Sequence, residues 1–180
     1  MNLNIPYMET DNKLLNDAYR IAAGDIVGNI VYYQNGLLTE EKPCMIAGLD
    51  YNTPWTRDTA INIWNVLSIL SPEVSKNTLL AVLEEEEGNI YIGGQYWDSI
   101  IWMIGAREYC RFHKDDNFYR LAFEAGRNSV HRLEEDEFDE EDGLFRGPAV
   151  YGDGIAAYPD KYSKCPNQGS GILEWVDYPG

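Results

Sequence analysis

The chain has 180 residues, 44% of them apolar and 13% aromatic, which fits one domain, 1–180, with a core of its own and excludes a disordered protein. Its 30 acids against 14 bases give a net charge of −16, a balance that cannot replace the counterions of a nucleic acid and so excludes DNA and RNA as partners. Cys44, Cys110 and Cys165 are too scattered for a zinc site or a disulfide framework, so reduced, mostly buried thiols are expected, with no metal and no cofactor.

Taken in chain order, the first six residues show no basic stretch leading into an apolar run, and no apolar segment is long enough to cross a membrane. A cytoplasmic protein with no membrane partner is the expectation. Five long helices are predicted over 10–140. The first, residues 10–33, places Leu14, Ala18, Ile21, Ala22, Ile26 and Ile30 on one stripe. The second runs from Asp58 to Leu70. Its polar residues Asn62, Asn65 and Ser68 make a thin line, so it is expected to be buried nearly all round. Ser71-Pro72-Glu73 is a start signal, a cap followed by proline at the first helical position, and it opens a third helix that closes near Gly88. Glu84–87 then fall at that helix's C-terminus, where the dipole disfavours them.

The fourth helix, 96–112, again has little polar surface. Asp115 and Asp116 cap the fifth, with Phe118, Leu121, Ala122, Ala125, Ser129 and Leu133 on one face and Arg120, Glu124, Arg127 and His131 opposite. Residues 134–142 hold eight acids in nine positions. An EF-hand reading fails there, because placing Gly143 at the loop glycine puts Phe138 and Ala149 at the first and last ligand positions. A solvated helix end is expected instead. From 143 to 180 the chain is rich in Gly, Pro and Tyr, with no periodic segment, and is expected to be an irregular, pocket-forming region.

The chemistry gathers in three aromatic-plus-Asp loops. In Thr53-Pro-Trp-Thr-Arg-Asp-Thr-Ala60 an Arg-Asp pair follows Trp55 at a helix mouth. Such a group suits a neutral polyol: the carboxylate accepts from sugar hydroxyls, the guanidinium donates, and the indole covers a C–H face. Gln95-Tyr-Trp-Asp98 and Val150-Tyr-Gly-Asp153 repeat the device. Asp58 and Asp98 stand 40 residues apart, the length of one helix pair in an α/α array.

These residues resemble the six-hairpin, (α/α)6-barrel glycosidases, which include glucoamylases and debranching-type glucosidases. The 53–60 segment is similar to the Trp-Thr-Arg-Asp loop that opens the first inner helix of glucoamylases. The resemblance implies that Arg57 and Asp58 hold the sugar at the non-reducing end, and that Trp97 and Asp98 line the same pocket with Trp55 and Tyr151. It implies Asp153, in Gly147-Pro-Ala-Val-Tyr-Gly-Asp-Gly154, as the general acid. Glu174 is the runner-up. Such a barrel needs twelve helices, so the chain is expected to be the N-terminal part of an all-α toroid of antiparallel helix hairpins, with the general base elsewhere.

Each position has a plainer alternative. Asp58 is also a first-turn carboxylate favoured by the helix dipole, and Trp97 and Asp98 a core aromatic and a cap. Asp153 in Gly-Asp-Gly also reads as a turn, although Tyr151 and Tyr158 beside it would lower the local polarity and raise its pKa. The expected function is that of a glycoside hydrolase-like protein, performing inverting acid–base hydrolysis of an O-glycosidic bond in an oligosaccharide, with this chain alone inactive. The alternatives are a non-catalytic helical module that binds glycan or protein, and an α/α-toroid sugar lyase or isomerase. Apolar inner helices that a partial barrel leaves uncovered predict a homo-oligomer or a missing C-terminal half as partner.

Overall fold

A computed structural model describes residues 5–48, 50–94 and 98–145. These residues are mostly helical with a few short strands, and they fall into two units, Met1–Arg132 and Leu133–Gly180.

In the first unit, helix α1 spans Lys13–Gly28, opened by Asn12, whose side chain accepts the N–H groups of Leu14 and Leu15. It stops five residues short of the expected end. Asn29 takes the C-cap, and Ile30–Tyr33 form strand β1, paired antiparallel with β2, Lys42–Met45. The β-branched and aromatic run Ile-Val-Tyr-Tyr lies better on a pleated surface than in another helical turn. The predicted core-facing stripe meets the core only at its far end: Leu14 is 78% and Ile21 65% exposed, while Ile26 and Ile30 are half-buried against the core.

Next come α2 (Thr56–Asn62), a π-helical segment (Ile63–Leu67) and α3 (Ser68–Leu70), continuous along the chain. Ile63, Leu67 and Ser68 are buried, but Ile61, Trp64 and Ile69 are 44%, 53% and 58% exposed, so this stretch is not enclosed as expected. The wider π turns shift the faces, which carries Ser68 inward and leaves an apolar strip outside. Helix α4 (Pro72–Ala81) starts as predicted, with the Ser71 hydroxyl accepting the Val74 N–H at 3.3 Å.

Helix α4 ends at Ala81, not near Gly88. Leu83–Glu86 (β3) and Asn89–Ile92 (β4) make a hairpin through Glu87-Gly88, both with positive φ (51° and 80°). The acids at 84–87 therefore belong to a strand and a turn, not to the last turn of a helix. Arg132 closes over this hairpin, 3.4 Å from the Tyr91 ring centroid and 2.6 Å from a Glu86 carboxylate oxygen.

Helix α5 (Asp98–His113) packs chiefly on α2, and Gly105 makes that contact close: a Cβ there would lie 2.8 Å from Ala60 Cα. The two run in the same direction. Their first turns are joined by Arg57 and Asp98, and at the far end His113 Nε2, closing α5, meets the Ser68 carbonyl of α3, which continues α2, at 2.6 Å. Helix α6 (Asp116–Glu137) returns alongside, with Asp115 accepting the Phe118 N–H as cap and Phe118, Ala125 and Ser129 buried, as the sequence predicts.

The core lies where these helices meet. Trp102 is fully buried and donates its indole N–H to the Leu79 carbonyl, with Ile63, Leu67, Val74, Leu79, Leu83 and Phe118 around it. Thr78 clips β2 to α4 by accepting the Met45 N–H at 3.0 Å while donating to the Val74 carbonyl. Cys44 beside it is a free, fully buried thiol, and burial pushes its pKa up to about 12. Cys110 is free and half-buried; Cys165 lies outside the described residues.

In the second unit the acidic run is helical only to Glu137. Phe138–Asp139 (β5) then pair with Leu144–Phe145 (β6), so the segment from 143 begins with a short strand. Asp139 accepts the N–H groups of Glu141 and Asp142, and Gly143 turns the chain with φ 66°.

Candidate functional site

The shared starting end of α2 and α5 carries the predicted residues that the structure describes. Pro54, buried, sets the entry to α2, and Trp55 stands extended before its first turn (φ −105°, ψ 138°). Trp55 is 41% exposed, with Tyr51 edge-on to it at 5.3 Å between ring centroids. Beneath them the Tyr33 and Thr53 hydroxyls bond at 2.8 Å, which ties this loop to β1.

Arg57 Nε lies 3.2 Å from Asp98 Oδ1, with the arginine side chain 22% and the aspartate 10% exposed. The contact uses one of the five guanidinium donors. Asp98 therefore sits in the first turn of α5 as a nearly buried carboxylate with Arg57 as a compensating cation. Asp58 is half-buried in the first turn of α2, a favourable end for an acid.

Gly93 and Gly94 complete the mouth. The Gly93 carbonyl accepts the Thr56 hydroxyl at 2.8 Å. Gly94 has φ +111°, and a Cβ there would strike Asp98 Oδ2 at 2.6 Å and Thr56 Oγ1 at 2.9 Å. No other residue fits that position. A Cβ at Gly93 would meet the Val82 carbonyl at 2.8 Å and a Glu84 carboxylate oxygen at 2.5 Å, so Glu84 lies against the diglycine as a further acid near the mouth.

Of the predicted residues, Trp55, Arg57, Asp58 and Asp98 are thus gathered at one end of two parallel helices. Trp97, Tyr151, Asp153 and Glu174 lie outside the described residues. Tyr51, Thr56, Gly94 and Glu84 were not anticipated as site residues. The diglycine carried a readable turn signal, but Glu84 sits in a run of four consecutive glutamates with nothing to single it out. Compared with protein-family models, curated proteins and solved structures, the chain has no match.

Proposed function

We propose that the chain is the glycan-holding part of a glycoside hydrolase-like protein of the six-hairpin class, acting by inverting acid–base hydrolysis of O-glycosidic bonds. The two hairpins, α2–α3 with α4 and α5 with α6, would be consecutive repeats of an α/α toroid. The observation that carries this reading is the Arg57–Asp98 pair at the common mouth of α2 and α5, beside the exposed face of Trp55. A guanidinium with donors to spare, two carboxylates and an aromatic plane answer the hydroxyls and the C–H face of a pyranose. Neither phosphate nor nucleotide chemistry is served by so acidic a mouth.

The test is calorimetric titration of the full chain with maltotriose and, separately, cellotriose. Saturable binding of at least one is expected, weakened at least ~10-fold by Arg57→Ala, which leaves sugar hydroxyls without the guanidinium donors. Absence of saturable binding to either sugar, or binding indifferent to Arg57→Ala, would overturn the reading. A second reading, a non-catalytic helical interaction module, is favoured by the apolar strip Ile61, Trp64 and Ile69. It predicts tight association with another chain and no dependence on sugar.

A further inference from the structure

Helices α1 and α5 each present an exposed stripe with the same spacing. On α1 it is Leu14, Ala18, Ile21 and Asp25; on α5 it is Ile100, Ile104, Arg107 and Arg111, both advancing by four, three and four residues. That spacing keeps four side chains along one side of a helix for about three turns. Leu14 and Ile21 are 78% and 65% exposed, and Ile100 and Ile104 are 40% and 39% exposed. Both stripes belong to the first unit, and both keep exposed apolar surface among its described residues.

The charges decide what fits. Asp25 stands in the last turn of α1, where the helix dipole disfavours an acid and no basic residue is present. Arg107 and Arg111 occupy the corresponding half of the α5 stripe, with Arg111 60% exposed although it contacts Glu108. Laid side by side in the same direction, the stripes set Leu14 on Ile100, Ala18 on Ile104, and Asp25 on Arg111, with Ile21 along the stem of Arg107. The reversed direction puts Asp25 on Ile100, so charge fixes the register.

We propose that α1 of one copy docks on α5 of a second copy, reciprocally, to give a two-fold dimer. A second copy is the occupant that this pattern names, because each chain carries both complementary stripes. A stable interface buries about 1,200–2,000 Å2, more than one helix-on-helix contact of this length supplies. A two-fold axis makes the contact twice and closes it, so neither stripe is left to propagate a fibre.

Sedimentation velocity on the full chain, at near-physiological salt to screen the net charge, tests the proposal. The expected species has twice the 20.5 kDa chain mass. Asp25→Arg and Arg111→Asp should each raise the dimer dissociation constant about tenfold or more, by setting like charges together, and the double exchange should restore most of the loss. Circular dichroism of each variant confirms that the helices persist. Ile104→Asp, which removes an apolar contact without touching the charge pair, should also weaken the dimer. A monomer across micromolar concentrations, which would leave the stripes to an unrelated partner, overturns the proposal. So does a dimer indifferent to both charge reversals, which would place association on another face such as Ile61, Trp64 and Ile69.

Discussion

Asp115 shows how one residue joins two elements. It caps α6 through the Phe118 N–H and takes Lys76 of α4 at 2.6 Å, and these bonds, the lysine's first, hold its carboxyl below the usual carboxylate range. A depressed folded-state pKa means that the stability it contributes is fully present above the unfolded-state value and is lost as pH falls through the folded one. Asp115→Ala is therefore expected to cost about 1 kcal/mol at pH 7, the usual worth of a cap, with the ion pair adding little at this exposure. Urea denaturation of wild type and variant should show that difference shrinking as pH drops below the normal aspartate range. A difference that is unchanged in acid would remove the ion-pair and cap account.

At the scale of elements, the closest packing is between α2 and α5. Gly105→Ala places a Cβ 2.8 Å from Ala60 Cα and 3.0 Å from its carbonyl oxygen, both backbone atoms that cannot rotate away. The helices must separate, at a cost of about 1–3 kcal/mol in thermal or chemical denaturation, even though alanine is the better helix former. A neutral or stabilising substitution would show that the two axes are not so close. The helix starts at Ser71-Pro72 and Asp115, and the buried face of α6, were legible in the sequence because a cap or a sustained 3.6-residue period marks each. The hairpins were not. Ile30 continues the helical spacing of Ile26, so α1 reads on into β1 unless the partner strand is known. Glu84–86 are good helix formers, and only pairing with Asn89–Ile92 makes them a strand. The exposed strip on α2 and α3 was hidden for a different reason, since five residues of π-helix break the period used to assign faces.

For the molecule as a whole, the proposed glycan site is the common mouth of α2 and α5. Arg57 and Asp58 were legible there from a Trp-Thr-Arg-Asp motif, whereas the bond from Arg57 to Asp98 joins residues 41 positions apart and follows only from the parallel setting of the two helices. Apolar surface remains on α1, α2, α3, α5 and α6 of a chain with no helix long and apolar enough to cross a membrane among its described residues. Under the proposed dimer, a second copy covers the faces of α1 and α5. A titration of the 15N-labelled full chain with maltotriose, followed by amide and indole NMR shifts, tests glycan binding at this mouth. Saturable shifts are expected at 53–58, 93–94 and 98–99, with the Trp55 indole N–H among the largest, and their loss in Arg57→Ala. Saturable shifts gathered at the opposite end of these helices, around Ser68 and His113, or none near Trp55, would contradict it.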